Sequence, residues 1–194
     1  MNVAIIKYNA GNTQSVIYAL NRLGCEPTVT DDKEELLKAD KIIFPGVGEA
    51  STAMKYLKER GLDALIPTLK QPTLGICLGL QLMCDYSEEN DTLCLGIFDI
   101  QVRRFPDVGL KVPQMGWNNI FDLKTPLFNN VSENEFTYFV HSYAAELSEF
   151  TAAKCKYGTE FSASLHRDNF YAVQFHPEKS ATTGAKVLEN FLKI

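Results

Sequence analysis

Short apolar runs alternate with amphipathic stretches through the first half of the chain. "VAIIK" (3–7), "PTVT" (27–30), "KIIF" (41–44) and "TLGI" (73–76) are brief and mostly β-branched or apolar, which predicts strands. Between them, Val16, Leu20 and Leu23 fall on one face of a helix predicted over about 13–23, and a shorter helix is predicted near 32–38. "STAMKYLKER" predicts a third helix, ended by Gly61, and "LGLQLMCDY" predicts a fourth directly after Cys77. This βαβα alternation is the rhythm of a parallel sheet with helices over both faces.

The pattern changes after about residue 94. "FDIQVRRF", "FTYFVHSY", "AAKCKY", "FSASLHR" and "FYAVQF" predict strands without intervening helices, hence an antiparallel extension of the sheet. A last helix is predicted in "TTGAKVLENFLKI", with Val187, Phe191 and Ile194 on one face. The expected fold class is α/β: a central, mostly parallel sheet flanked by helices, with an antiparallel extension in the C-terminal half. No repeat, low-complexity tract or linker divides residues 1–194, so one domain is expected.

Composition narrows the function. The 194 residues are 45% hydrophobic and 22% charged, as in ordinary globular proteins, and the net charge of -5 comes without long basic runs. Nucleic acid and anionic membranes are therefore poor candidate partners; small molecules and proteins are better ones. The apolar run before Lys7 is only four residues long, and no stretch approaches the roughly 18 of a membrane span, so a cytoplasmic location is expected. The five cysteines (Cys25, Cys77, Cys84, Cys94, Cys155) are odd in number and form no CxxC pair. Reduced thiols are expected, with no disulfide framework and no metal site.

One cysteine is placed for chemistry. A nucleophile at the turn from a strand into a helix sits in a strained conformation, and side chains two residues to either side would collide across that turn. Gly75, Cys77 and Gly79 have the required GxCxG spacing, after a predicted strand and before a predicted helix. A helix start favours the thiolate, and the Leu78 amide there would face an oxyanion on an attacked carbonyl. Taken alone, GxCxG fits equally a buried cysteine in a glycine-containing strand.

A cysteine nucleophile needs a base, commonly a histidine held by an acid. In "YAVQFHPEKS", His176 follows a strand and Glu178 lies two residues on; if the chain stays extended through Pro177, both side chains project to one side. His166 with Asp168 in "SLHRD" is the rival pair, though "HRDN" reads as a polar turn between strands, and His141 in "FVHSY" has no acid at that offset.

"PGVG" (45–48), "GICLGLQLM" around Cys77 and "VQFHPEKS" around His176, in that order, resemble the class I, or triad, glutamine amidotransferases. "YNAGNTQSV", "VPQMGWN" (112–118) and "YFVHSYA" (138–144) look like the glutaminase subunits of imidazole glycerol phosphate synthase, and the likeness spans essentially the whole chain. The resemblance implies the three-layer fold of that family. It implies that Cys77 attacks the side-chain amide of glutamine, that His176 carries the proton to departing ammonia, and that Glu178 holds the imidazole. Gly46 and Val47 would complete, with Leu78, an oxyanion hole. Gly48, Gln81, Glu89, His141, Ser142 and Tyr143 would bind glutamine, with adjacent Glu88 leaving the acidic position open by one residue.

No cofactor is implied. The implied partner is a cyclase subunit, a (β/α)₈ barrel that receives ammonia through its interior and forms imidazole glycerol phosphate and AICAR. Asn12, Pro113, Met115, Trp117, Asn118, Tyr138 and Lys179 would meet it. The lone Trp117 would otherwise be read as a core aromatic. Gln114, where many family members have histidine, is expected at the same surface. Open alternatives are a glutaminase serving another acceptor enzyme, for example in sugar amidination, and a non-catalytic binding module.

Overall fold

The computed structural model describes residues 1–9 and 12–194, so Ala10 and Gly11 of "YNAGNTQSV" lie outside the described residues. In chain order the first half runs β1 (Val3–Ile6), α1 (Thr13–Arg22), β2 (Thr28–Thr30), α2 (Lys33–Lys38), β3 (Lys41–Phe44), α3 (Ala50–Arg60), α4 (Leu62–Leu65), β4 (Thr73–Ile76) and α5 (Leu78–Met83). There follow β5 (Cys84–Ser87), β6 (Thr92–Leu93), β7 (Phe98–Arg104), β8 (Gln114–Asn119), β9 (Phe136–His141), β10 (Tyr143–Ala145), β11 (Thr151–Tyr157), β12 (Thr159–Arg167), β13 (Phe170–Val173) and α6 (Ala181–Lys193).

Local chemistry sets several boundaries. Asp32 accepts the backbone N–H groups of Glu34 and Glu35 at 2.9 and 3.0 Å, starting α2. Gly61 ends α3 in the left-handed conformation, φ 62°, as its position after "LKER" predicts.

The main sheet has the order β11-β12-β13-β4-β3-β1-β2. Strands β2, β1, β3, β4 and β13 are parallel, and β12 and β11 add in antiparallel fashion at one edge. Alternate residues of the central strands supply two cores. Ala4, Ile6, Ile42 and Phe44 pack with Leu36 of α2, Met54 and Leu57 of α3 and Leu80 of α5. Val3, Ile5, Ile43, Leu74 and Ile76 pack with Val16 and Leu20 of α1 and Val187 and Phe191 of α6. Helices therefore cover both faces, as the strand pattern predicts, and each large side chain so buried contributes about 1.5–3 kcal/mol.

Three expectations are corrected. The helix after Cys77 stops at Met83, because "CDYS" becomes β5 and pairs with β7 in parallel (Cys84 opposite Phe98, Ser87 opposite Val102). The late strands do not form one extension: β10-β7-β5-β6 is a separate four-stranded sheet and β8-β9 a two-stranded ribbon. "FTYFVHSY" is accordingly divided at Ser142, β9 pairing with β8 and β10 with β7. Ile194 is 38% exposed, whereas Val187 and Phe191 are buried.

The glycines around Cys77 answer a steric demand. A Cβ on Gly75 would lie 3.0 Å from the carbonyl carbon of Gly79, across the turn, and one on Gly79 would lie 1.9 Å from the Phe44 carbonyl oxygen of β3. Gly79→Ala is therefore expected to cost at least the roughly 1–3 kcal/mol of overpacking. Gly24→Ala, where φ is +76° but nothing lies within 4 Å, should cost less. Equal losses in denaturant unfolding would contradict this reading of the turn.

Candidate active site

Strands β4 and β13 are neighbours in register, Ile76 opposite Val173, and the Cys77 amide extends the ladder by donating to the Val173 carbonyl at 2.8 Å. The turn after β4 and the segment after β13 consequently leave the sheet side by side. Cys77 has φ 53° and ψ -105°, a strained backbone for a residue with a Cβ. The strain is held by the ladder bond before it and by α5 after it. The side chain is turned toward the Val140 carbonyl of β9, 3.8 Å from Sγ.

His176 is 1% exposed. Its Nδ1 lies 2.8 Å from Glu178 Oε1, and the Glu178 side chain is fully buried. The two meet through a short 3₁₀ turn over Pro177–Lys179, not through an extended chain. Glu178 fixes the ring so that Nε2, which has no hydrogen-bond partner of its own, is left for Cys77. Burial disfavours the imidazolium, but the charge and hydrogen bonding of Cys77, followed by those of Glu178, outweigh it and raise the His176 pKa to about 10. In this geometry the neighbouring sulfur and carboxylate favour the imidazolium.

The turn itself is clamped. The His176 N–H donates to the Tyr138 carbonyl of β9 at 2.9 Å; Ser180 Oγ donates to the His176 carbonyl at 2.7 Å and accepts the Tyr138 N–H at 2.9 Å. Asn12 Nδ2 donates to Glu178 Oε1, the oxygen that also meets His176. The amide of Asn12, expected at a partner surface, is thus spent inside the triad.

A cleft of about 350 Å³ opens onto Cys77, within the range of small-molecule sites. Val47, Gly48, Leu78, Gln81, Glu89, His141, Ser142 and Tyr143 line it. Glu89 is half-buried, and its carboxylate accepts the Ala50 N–H at the start of α3 at 2.7 Å; burial, the larger effect, raises its pKa. Glu88 instead pairs with Arg103 and the Arg104 amide on the surface, so the cleft-lining acid is Glu89. His141 Nδ1 lies 2.7 Å from the Tyr143 carbonyl, and burial holds its pKa down to about 4, so the ring is neutral near pH 7.

Two of these placements differ from expectation. Both amide hydrogens of Gln81 are used, on the Tyr143 carbonyl at 2.9 Å and Gln174 Oε1 at 3.0 Å, so Gln81 can offer a ligand only an acceptor. The Leu78 N–H, expected to face an oxyanion, donates to the Gly46 carbonyl at 3.3 Å. The Gly46–Val47 peptide is trans, so the Val47 N–H points opposite to that carbonyl. Tyr8 holds the segment by donating to the Pro45 carbonyl. In this conformation Gly46 supplies an acceptor where a donor is required, because a buried amide takes the nearest carbonyl.

The expected partner-facing residues separate similarly. Met115 and Trp117 are 65% and 52% exposed, and Trp117 packs edge-on to half-buried Tyr138 across the β8-β9 ribbon. Trp117 is therefore a surface aromatic. Lys179 is exposed, Asn118 donates to the Lys156 carbonyl, and Pro113 lines the cleft. Gln114 is 3% exposed, since alternation along β8 turns it inward while Met115 faces out. His166, near the end of β12, stacks on its cross-strand neighbour Tyr171 and meets the Asp168 carbonyl in the turn that follows. Sequence reasoning missed Gln174, Ser180 and Tyr8; a lone glutamine within the buried run "YAVQF" was the available signal for the first.

A strained thiol beside an imidazole that a carboxylate orients has the parts of a nucleophilic thiol centre. Comparison with known proteins fixes the class: residues 4–194 match the family model "Glutamine amidotransferase class-I". The chain is 60% identical to the imidazole glycerol phosphate synthase subunit HisH of Bacteroides fragilis and 58% identical to that of Bacteroides thetaiotaomicron, each alignment covering 100% of both chains. A solved structure described as a glutamine amidotransferase superposes with a TM-score of 0.76 at 20% identity, covering 98% of this chain and 97% of that one, which bears on the fold alone. The chain belongs to the class-I glutamine amidotransferase family, among the HisH subunits of imidazole glycerol phosphate synthase.

Because Cys77 is the first of the influences raising the His176 pKa, Cys77→Ala should lower the imidazole titration midpoint from about 10 toward the ordinary 6.5. Imidazole nitrogen chemical shifts against pH would show it; an unchanged midpoint would contradict the pairing.

Proposed function

We propose that residues 1–194 form one catalytic unit, a glutaminase that releases ammonia from L-glutamine for imidazole glycerol phosphate synthesis in histidine biosynthesis. The carrying observation is that one cleft opens on Cys77 and is lined by Gly48, Gln81, Glu89, His141, Ser142 and Tyr143. The near-neighbour HisH proteins, aligned end to end, support the choice of pathway.

In this reading Cys77 Sγ attacks the side-chain carbonyl carbon of glutamine while its proton passes to His176 Nε2. The C–N bond breaks as that proton is delivered to the leaving ammonia. Water, deprotonated by the same imidazole, then splits the thioester to glutamate and restores the thiol. Glu178 holds the ring, with Asn12 holding Glu178. Glu89 supplies negative charge for the α-amino group, Gln81 an acceptor, and the 141–143 segment backbone contacts to the α-carboxylate. Rotation of the Gly46–Val47 peptide would free the Leu78 N–H and bring in that of Val47 as the second oxyanion donor.

Ammonia is useful only if kept from protonation in bulk water, so the product calls for an acceptor subunit docked over the site. We assign that role to a (β/α)₈ barrel cyclase. The exposed apolar face of Met115 and Trp117, beside Tyr138, favours a protein partner there over a free surface. Among the described residues no helix is long and apolar enough to cross a membrane.

Cys77→Ala in the assembled complex should abolish glutamine-dependent synthesis and leave ammonium-dependent synthesis intact; loss of both with subunits still associated would overturn the division of labour. The isolated chain, lacking a formed oxyanion hole, should turn over glutamine about 10²–10³-fold more slowly than the complex, the usual cost of one oxyanion donor. Equal rates would contradict the closed state. Trp117→Ala should weaken cyclase binding at least tenfold in calorimetry, while unchanged affinity would move the interface elsewhere.

A further inference from the structure

Gln174 is a wholly buried polar residue that no step above uses. It lies two residues before His176, where β13 ends beside the cysteine turn, and its Nε2 is 3.6 Å from Cys77 Sγ. Its Oε1 accepts from Gln81 Nε2 at 3.0 Å, and the same Gln81 nitrogen donates to the Tyr143 carbonyl at 2.9 Å.

The orientation of both amides follows from one backbone atom. A carbonyl oxygen can only accept, so the Tyr143 carbonyl requires the NH₂ end of Gln81. The second hydrogen of that NH₂ then needs an acceptor, which requires Oε1 of Gln174. The remaining end of Gln174, its NH₂, is thereby directed at the sulfur. Reversing either amide would set donor against donor or acceptor against acceptor between two buried side chains. The sulfur therefore faces a neutral donor that the fold cannot turn away.

We propose that Gln174 is a further catalytic residue: its amide N–H donates to Cys77 Sγ, favours the thiolate over the thiol, and ties the nucleophile to Gln81 in the glutamine cleft. The titratable groups around the sulfur are His176 and Glu178 on the turn after β13, Tyr8 after β1 and His141 at the end of β9. Gln174 has no titratable proton, so its donor is present at every pH. It fixes the sulfur's position while the proton travels to His176, and it offers the same hydrogen bond when the thiolate leaves the thioester in the second half of the reaction. Through Gln81 the relay ends at Tyr143, so the residue that meets substrate and the donor that meets the nucleophile share one set of hydrogen bonds.

The proposal rests on Cys77 being the nucleophile, and its test reads the sulfur without requiring glutamine turnover. In the complex with cyclase, the rate of Cys77 alkylation by iodoacetamide is measured against pH for the native protein, Gln174→Glu and Gln174→Met. Gln174→Met removes both the donor at the sulfur and the acceptor for Gln81 without adding charge; Gln174→Glu keeps the shape and the acceptor and, ionised, sets a negative charge where the donor stood. Each variant should move the alkylation midpoint upward by about one to two pH units, the shift expected on losing a hydrogen bond to a charged group. The glutaminase kcat should fall roughly tenfold to a hundredfold with ammonium-dependent synthesis unchanged. Circular dichroism of both variants guards against a folding defect, and Gln174→Met, which adds no buried charge, isolates the loss of the donor. An unshifted midpoint in either folded variant would overturn the proposal, even if kcat fell, since a merely structural role would lower activity without changing thiolate formation. A shifted midpoint in a protein whose Cys77→Ala variant still hydrolyses glutamine would keep the contact and sink the nucleophile assignment instead.

Discussion

The parallel pairing of β4 with β13 is the contact on which the site depends. It is a backbone interaction, Ile76 opposite Val173, continued by the Cys77 amide on the Val173 carbonyl. Neither strand carries the chemistry within its own length. Each delivers it just beyond its carboxyl end, where open α/β sheets place their ligands. A nucleophile and a base distant in sequence thereby become neighbours, and Gln174, still in line with β13, arrives beneath the sulfur. A slip of this register by one residue would separate thiol from imidazole and exchange the side chains that one of the strands, buried on both faces, sends to the two cores.

The surroundings are arranged to hold charge in a place where charge is costly. Cys77 and His176 are almost wholly removed from water, and an isolated ion there would shed or take up a proton instead. The pair persists because each partner is secured twice: His176 by Glu178 and by its backbone bond to Tyr138, the sulfur by its strained turn and by Gln174. The oxyanion side is the incomplete part. The Leu78 amide, the donor proposed for an oxyanion, is given to the Gly46 carbonyl, and the nearby exposed face around Trp117 is joined to the His176 turn through the backbone of Tyr138.

Much of this was legible in the residues. The βαβα half was readable because buried parallel strands give short continuous apolar runs, and the GxCxG turn because glycine is demanded where backbones approach to contact distance. Gly79 meets a carbonyl of β3 as well as the turn itself, which no spacing along the chain could reveal. The late strands were readable as strands but not as three sheets, since partner choice depends on contacts distant in sequence. "CDY" reads as helix because the preceding apolar run continues the helical period to Met83, and only pairing with β7 redirects it. Trp117 is exposed as expected of a partner-facing residue, whereas Gln114, expected at the same surface, is buried for a simple reason: alternation tells which residues share a face, but not which face meets the core. Gln174 escaped notice because its importance lies in what surrounds it.

A direct trial is to quench the complex with acid during turnover of glutamine and measure the mass of the Cys77 peptide. A covalent glutamyl adduct on Cys77, formed with glutamine and absent with glutamate alone, is the predicted result. Rapid glutamine consumption with an unmodified Cys77 peptide at every quench time, or an adduct on another of the cysteines, would contradict the thiol at this turn as the nucleophile.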